Sequence, residues 1–290
     1  MNIKTNIFRI TFLLFSVFLV SCEKDDELTP DAIVTQLPDD VTKLYVEKGN
    51  TNADKVLLYC IGGPRTELDT EYFDDLGLSH YHEVYVHQSN TYNSNVIIGL
   101  NKNLTFEHAI KEDQVSVVIL QKVAQHFKNQ GKEIYIVGHS FGAILIPAYI
   151  ANTDNIATKI LIMAGRLDFP ENVWQGFRDR KGYYFENGTI PTRQDFTSDV
   201  SDKVKKEYYA RMRLQAGFGK NRYTQLLNEK DLTNVIYVFG EKDKAVGSLT
   251  TAEVDFLDRK EATVYNIPDG SHSSMLDEPH KEEIKSILFR

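Results

Sequence analysis

A glycine–serine turn between two apolar segments restricts the possible folds of this chain more than any other part of its sequence. Residues 133–137 read Glu-Ile-Tyr-Ile-Val, which predicts a buried strand, and Gly138-His139-Ser140-Phe141-Gly142 follows at once. Residues 143–146, Ala-Ile-Leu-Ile, continue as a buried helix. In such a strand–turn–helix the serine hydroxyl lies at the tip of a strained turn, and the helix directs its first N–H groups toward it. The pattern predicts a nucleophilic Ser140; the alternative is a tight turn with an incidental serine.

Apolar strand candidates alternate with helical patterns along most of the chain. Seven strands are predicted, at residues 43–47, 55–61, 83–87, 133–137, 159–163, 235–239 and 263–267. Helices are predicted at residues 106–129, 252–259 and 281–288. Several of the strands are apolar throughout, which is typical of strands buried on both faces. We therefore predict an α/β fold, with a mostly parallel sheet covered by helices on both faces.

One interval, about residues 168–231, interrupts this alternation. It contributes no predicted strand to the sheet, is dense in charged and aromatic residues, and has a helical pattern at 201–216. We interpret it as an inserted, mainly helical cap over the carboxyl ends of the strands, where open α/β sheets hold their sites. Most of its aromatic residues are expected to pack the cap onto the body, and Trp174 is expected to contact substrate.

The amino-terminal segment has the pattern of a targeting signal. Lys4 and Arg9 give it a basic start, and an apolar stretch at 10–20 is too short to span a bilayer. Leu-Val-Ser-Cys at 19–22 resembles the lipobox of bacterial lipoproteins, which implies removal of residues 1–21 and lipidation of Cys22. The resemblance implies a membrane anchor in the bacterial envelope, and the acidic run at 23–27 fits the outer membrane and its surface. Residues 22–40 are predicted to be a linker, and 41–290 the folded domain.

Composition and the remaining reactive side chains exclude several other classes of protein. The chain is acidic, with a formal net charge of −8, and has no basic stripe, which argues against a nucleic-acid partner. Cys60 lies in an apolar run and is expected to be a buried, inert thiol. His82 and His87 fall on opposite faces of a predicted strand, and His80 lies just before it, so no metal site is expected. The chemistry expected at Ser140 needs no cofactor.

With Ser140 in this setting, the chain resembles the α/β-hydrolase family over nearly all of residues 41–290. In that family an acid follows a late strand and a histidine follows the last one. Here residues 235–239 run into Gly-Glu-Lys-Asp, ending at Asp243, and residues 263–267 run into Pro-Asp-Gly-Ser-His, ending at His272. The resemblance implies that Asp243 orients His272, and that His272 takes the serine proton.

Other side chains could take these two roles. Glu241 and Asp168 are the alternative acids, since each also follows a predicted strand. His280 is a weaker substitute for His272 because it follows Pro279 at the start of the last helix. His139, beside the nucleophile on a tight turn, is assigned to packing.

The loop after the second strand is the expected source of an oxyanion donor. Phe141 N–H is one donor, and Gly63 N–H is the better candidate for the second because Pro64 has no N–H. Gly62-Gly63-Pro64 is similar to the His-Gly-Gly-Pro-Gly loop of proline iminopeptidase-like members. Ile61 and Arg65 replace the first histidine and the last glycine of that loop, which disfavours a peptidase. Arg65 is a candidate for holding a substrate carboxylate, or is a solvated charge at the rim.

These residues lead to a serine hydrolase hypothesis. A lipid-anchored enzyme would cleave a small acyl substrate, an ester, thioester or amide, through an acyl-enzyme on Ser140, and an esterase or lipase is favoured. Two alternatives stay open. One is an acyltransferase or another non-hydrolytic member of the fold. The other is a non-catalytic surface lipoprotein that binds a ligand under the cap.

Overall fold

The computed structural model describes residues 34–99, 104–195 and 200–290, so residues 1–21 and Cys22 lie outside the described residues. A seven-stranded sheet forms the centre, in the order β1-β3-β2-β4-β5-β8-β9. Only β1 is antiparallel to its neighbour; the other pairs are parallel. The strands are β1 (Tyr45–Gly49), β2 (Lys55–Cys60), β3 (His82–Val86), β4 (Glu133–His139), β5 (Lys159–Met163), β8 (Val235–Gly240) and β9 (Thr263–Ile267), with β6 (Gly182–Glu186) and β7 (Ile190–Gln194) paired separately.

Helices cover both faces of the sheet, which confirms the predicted α/β class. The α-helices are α1 (Ser89–Tyr92), α2 (Phe106–Asn129), α3 (Phe141–Asn152), α4 (Glu171–Arg178), α5 (Asp202–Gly219), α6 (Tyr223–Leu226), α7 (Thr251–Arg259) and α8 (His280–Leu288). Alternate residues of β2 enter different cores, with Leu58 on the face covered by α2 and α3 and Leu57 on the face covered by α8. This two-sided burial explains why the strands are apolar throughout. No helix of the described ranges is long and apolar enough to cross a membrane.

The amino-terminal boundary differs from the predicted one. Residues Val41–Leu44 form a 3₁₀ turn whose first N–H groups are capped by Asp40, so the first strand begins at Tyr45 rather than at residue 43. Part of the predicted linker also packs against the body. Thr35 is buried and donates its backbone N–H to Glu112 Oε1 at 2.9 Å. A buried carboxylate needs such donors, so the folded body includes Thr35.

The cap contains α4, the β6–β7 hairpin, α5 and α6. The hairpin is an addition to the expected, mainly helical cap. Asn187 and Gly188 both have positive φ (50° and 75°) at its tip, and Asn-Gly is a strong local signal for a hairpin. The hairpin is tied to the loop after β8, because Phe185 N–H donates to the Lys244 carbonyl at 2.8 Å.

Candidate active site

Ser140 occupies a strained turn between β4 and α3. Its φ of 57° and ψ of −120° are unusual for a residue with a side chain, and its N–H donates to the Met163 carbonyl at the end of β5, 3.0 Å away. The two flanking positions must be glycine because neither has room for a Cβ atom. A Cβ on Gly138 would lie 2.5 Å from Ile146 Cδ1, and one on Gly142 would overlap the Cys60 carbonyl oxygen. The sequence therefore folds locally into the sharp turn that presents Ser140 above the sheet.

Asp243 and His272 meet because their strands are parallel neighbours. Gly240 at the end of β8 is paired with Ile267 at the end of β9, so the two following loops leave the sheet side by side. Asp243 Oδ2 lies 2.7 Å from His272 Nδ1. The carboxyl group is buried, and its Oδ1 accepts the N–H groups of Ala245 at 2.8 Å and Val246 at 3.1 Å. These bonds fix the carboxylate in the orientation that faces the imidazole.

The alternative acids and the alternative histidine have other partners. Glu241 is exposed and accepts from Asn266 Nδ2 at 2.8 Å. Asp168 accepts from the Thr224 hydroxyl at 2.5 Å, at the base of the cap. His280 Nδ1 lies 3.1 Å from the Tyr265 hydroxyl. Of the three candidate acids, Asp243 is the one that the structure brings to His272.

His139 does more than pack beside the nucleophile. Its ring is buried, with Nε2 2.9 Å from the His272 carbonyl oxygen and Nδ1 2.7 Å from the Tyr72 hydroxyl. A carbonyl can only accept, so Nε2 carries the proton and Nδ1 accepts from Tyr72. Burial, and then the charge of His272, lower the pKa of His139 to about 4, so the ring is neutral above that pH. The assignment to packing alone was therefore incomplete, because the partner lies 133 residues away in sequence.

The candidate oxyanion donors flank the serine. Phe141 is the first residue of α3, where an N–H has no acceptor within the helix. Gly63 follows β2 and lines the same cavity as Ser140 and Phe141. Gly62 approaches so closely that a Cβ there would lie 3.1 Å from Ser140 Cβ and would overlap the Tyr72 hydroxyl. The loop after β2 therefore passes directly beside the nucleophile.

A cavity of about 270 Å³ lies between Ser140 and the cap. Its walls are mostly aromatic and aliphatic, with a few polar and cationic side chains from the cap and from the loop after β8. The lining residues are Gly63, Pro64, Ser140, Phe141, Ile144, Phe177, Tyr183, Tyr184, Tyr208, Arg211, Met212, Gln215, Lys244, Ala245 and Val246. The cap residues among them were not singled out from the sequence, because residue type alone does not separate a wall of this cavity from cap packing.

The two residues expected to contact substrate do not line this cavity. Arg65 forms an ion pair with Asp69 at 3.0 Å and lies over the Tyr72 ring, 5.0 Å from its centroid. Trp174 stacks on Phe106, and its Nε1–H donates to Glu171 at 3.2 Å. Arg65 is thus a partly exposed charge outside the cavity, and Trp174 packs the cap against α2.

The other reactive groups of the described residues are not arranged for metal or thiol chemistry. Burial raises the pKa of the Cys60 thiol to about 12, which keeps it protonated. Within residues 34–99, 104–195 and 200–290, no group of three or more histidine, cysteine or acidic side chains converges as metal ligands would.

The sequence profile of the Alpha/beta hydrolase family matches residues 99–283, which include Ser140, Asp243 and His272. This protein belongs to the α/β hydrolase family. No protein of curated function matches its sequence.

Several solved structures have a similar fold. Est1E from Butyrivibrio proteoclasticus, seen with ferulic acid bound, is 15% identical over 84% of this chain and 91% of its own, with a TM-score of 0.51. The monoacylglycerol lipase of Paleococcus ferrophilus is 11% identical over 84% of this chain and 96% of its own, also with a TM-score of 0.51. MGS-M2, an alpha/beta hydrolase enzyme from a Medee basin deep-sea metagenome library, is 16% identical over 85% of this chain and 94% of its own, with a TM-score of 0.50. At these identities the likeness concerns the fold.

Proposed function

We propose that this protein is a serine hydrolase that cleaves small carboxylic esters through an acyl-enzyme on Ser140. The observation that carries the proposal is the 2.7 Å contact between His272 Nδ1 and buried Asp243, in a loop that His139 joins to the strained turn at Ser140 by a 2.9 Å hydrogen bond to the His272 carbonyl. An Nδ1–H bonded to a fixed carboxylate leaves Nε2 as the proton acceptor, which is the tautomer that a general base needs. A structural ion pair would not need a half-buried serine on a strained turn nearby.

The reaction follows from these groups. Ser140 Oγ attacks the carbonyl carbon of the ester while His272 Nε2 takes the hydroxyl proton. The oxyanion receives the N–H groups of Phe141 and Gly63. The tetrahedral intermediate collapses, the alkoxide leaves with the proton from His272, and the acyl group stays on Ser140. Water then attacks the acyl-enzyme by the same route, releasing the acid and restoring Ser140.

The test is active-site labelling combined with ester turnover. Wild-type protein is treated with a fluorophosphonate probe and assayed on 4-nitrophenyl acetate and butyrate. We expect Ser140→Ala to abolish labelling, and Ser140→Ala and His272→Ala each to lower kcat by roughly 10³-fold or more, because such groups act as a unit. Ser286→Ala, an exposed serine on α8, is the matched control and should label like wild type. Equal turnover by Ser140→Ala and Ser286→Ala would refute the proposal.

The size and walls of the cavity favour a small acyl substrate over a polypeptide. A space of about 270 Å³ with mostly aromatic and aliphatic walls fits a small acyl or aryl group and not a folded polypeptide.

Adding an alcohol as a competing acceptor tests the alternative reaction, acyl transfer. A transferase would give mainly the new ester at alcohol concentrations far below that of water, whereas a hydrolase gives mainly free acid.

We also propose that the mature protein is anchored to the cell envelope by lipid on Cys22. The support is the Leu-Val-Ser-Cys sequence at 19–22 that follows a basic and apolar leader. Metabolic labelling with an alkyne fatty acid should mark wild type in the membrane fraction. Cys22→Ser should lose both the label and the membrane association, and retention of both would contradict the anchor.

A further inference from the structure

We propose that the substrate carries a carboxylate, and that Arg211 of the cap binds it. This inference rests on the proposed function, because it names the class of ester that the Ser140 cavity selects. The charge of the cavity is its first support. Arg211 and Lys244 line it, and no aspartate or glutamate of the described residues does. The chain as a whole is acidic, at −8, so a cavity whose charged lining residues are both cations differs in sign from the net charge of the chain.

Arg211 is held in a defined position beside the reacting centre. Its Nη1 donates to the Pro64 carbonyl at 2.7 Å, which ties the guanidinium to the loop that carries Gly63. Because Gly63 and Ser140 line the same cavity, a carboxylate bound by Arg211 would lie only a few bonds from the reacting carbonyl. A tethered guanidinium loses little freedom on binding an anion, which suits it to selection between substrates.

The charge of Arg211 is incompletely balanced within the protein. Its one carboxylate neighbour among the ion pairs of the described residues is Glu207, 3.8 Å from Nη2 and beyond hydrogen-bond distance. Burial lowers the pKa of Arg211; the Glu207 charge offsets part of this effect, and the nearby Arg65 charge adds to it. Arg65 is itself paired with Asp69, which leaves Arg211 as the half-buried guanidinium that an anion in the cavity can reach. A substrate carboxylate would replace the weak Glu207 contact with a closer one.

The experiment compares two esters of the same shape and different charge. The acyl-side pair is 4-nitrophenyl hemiglutarate and 4-nitrophenyl 5-methylhexanoate, in which a carboxylate replaces an isopropyl group. A leaving-group pair, 4-carboxyphenyl acetate and 4-isopropylphenyl acetate, places the charge on the other side of the ester. We expect wild type to prefer the charged member of at least one pair by roughly 10-fold in kcat/KM, the range of a charge-assisted hydrogen bond. The preference should weaken as salt is raised.

Two variants of α5 should change this preference in opposite directions. Arg211→Gln should bring the ratio of kcat/KM values for the charged and neutral esters to about one, and Glu207→Gln should raise that ratio. Lys203→Gln, which removes an exposed charge from the same helix outside the cavity, is the control and should keep the wild-type ratio. Because each ratio is measured on one preparation, partial misfolding affects both esters alike. A wild-type ratio near one for both pairs, or an unchanged ratio in Arg211→Gln, would overturn the inference.

Binding separates this inference from the proposed function. Calorimetry with the Ser140→Ala protein measures hemiglutarate affinity without turnover. If wild type hydrolyses no ester and takes no fluorophosphonate, the serine hydrolase proposal fails. The inference still stands when Ser140→Ala binds the hemiglutarate more tightly than the 5-methylhexanoate and adding Arg211→Gln removes the difference. It fails when that difference is absent.

Discussion

At the scale of single residues, the hydrogen bonds of His139 connect parts of the site that are far apart in sequence. Its protonated Nε2 reaches the His272 carbonyl, and its Nδ1 receives the Tyr72 hydroxyl, which lies against Gly62 of the candidate oxyanion loop. One buried, neutral ring therefore joins the loop of the proposed general base, His272, to the candidate oxyanion loop. We infer that His139 is a positioning residue, acting through His272 rather than on substrate.

Substitution of His139 separates this role from packing. His139→Leu fills the space but removes the acceptor of the Tyr72 hydroxyl proton and the donor to the His272 carbonyl, so we expect kcat to fall by roughly 10-fold or more with KM little changed. His139→Gln can donate and accept at similar positions and should retain most of the wild-type kcat. Steady-state kinetics from pH 5 to 9 measure both. An equal loss in the two variants, with equal loss of thermal stability, would show that the ring only packs.

The candidate site residues differ in how far the sequence could predict their positions. Ser140 was predictable because its setting is local, a strand, two glycines and a helix within 20 residues. Asp243 and His272 were expected from the family order, since their strands end at the same edge of a parallel sheet. The His139–Tyr72 contact joins residues 67 apart, and no local pattern marks it. Arg211 lies on a cap helix with charges on several faces. The sequence alone does not show which of these charged residues faces the cavity, because that depends on how the helix packs on the body.

At the scale of secondary structure, the packing of cap helix α5 on α2 sets the position of one cavity wall. The two helices approach closely at Gly217, where a Cβ would overlap Asp113 Oδ2 of α2. Arg213, one turn earlier and buried, donates to the Leu104 carbonyl at 2.5 Å and to the Arg178 carbonyl at 3.0 Å. The absence of a side chain at Gly217 therefore allows the cap to reach its observed distance from the body.

A methyl group at Gly217 should move the cap. We expect Gly217→Ala to lower the free energy of unfolding by roughly 1–3 kcal/mol, the range for overpacking a dense interface, and to raise KM for 4-nitrophenyl butyrate. Gly219→Ala is the matched control on the same helix, because its Cβ would meet Trp174 Cβ at 3.3 Å, a contact that small shifts relieve. Urea unfolding and ester kinetics compare the two. Equal stability of both variants would contradict the importance of this close approach.

Elements with local end signals were predicted well, and those fixed by tertiary contacts were not. Helix α2 begins after Thr105, whose hydroxyl accepts His108 N–H at 3.1 Å, and its observed bounds equal the predicted 106–129. The predicted bounds of β5 and β9 also agree with the structure. The predicted start of the first strand was two residues too early, because Asp40 caps a short 3₁₀ turn where apolar alternation alone suggests a strand. The cap hairpin was not predicted because both of its strands are short and β7 contains Pro191 and ends in three polar residues, a pattern that is untypical of a strand.

At the scale of the whole molecule, two adjacent buried acids on α2 contribute to stability with opposite signs. Burial raises the pKa of Glu112, but hydrogen bonds from His108, Ser89 and Thr35 together outweigh it and leave that pKa below its usual value. Burial raises the pKa of Asp113 well above its usual value; the Glu112 charge adds to this, and Lys220 offsets only part. Neither carboxyl oxygen of Asp113 has a hydrogen-bond partner among the described residues. One acid is thus satisfied as a carboxylate, and its neighbour is not.

Linkage gives the sign of each contribution. A group with a lowered pKa in the folded state stabilises above its unfolded value, 4.5 for Glu112, and this stability is lost as pH falls through the folded pKa. A raised pKa acts in the other direction. Asp113 holds a proton in the folded state that the unfolded chain releases above pH 3.8. Asp113 therefore destabilises the folded state increasingly as pH rises above that value. As pH falls, the destabilisation by Asp113 should therefore decrease before the stabilisation by Glu112 is lost.

Isosteric amides at these two positions should give opposite results at pH 7. We expect Asp113→Asn to raise the free energy of unfolding by roughly 1–3 kcal/mol, because an amide does not ionise in its dry site, with a gain that shrinks as pH falls toward 4. Glu112→Gln should lower it by a similar amount at pH 7, since the amide cannot accept all the donors that converge on the carboxylate. Urea denaturation of both variants and wild type at pH 4, 5.5 and 7 measures the three curves. A gain for Asp113→Asn that stays constant over this range would mean that Asp113 does not change its proton binding on folding, and that steric relief at the α2–α5 interface is its source.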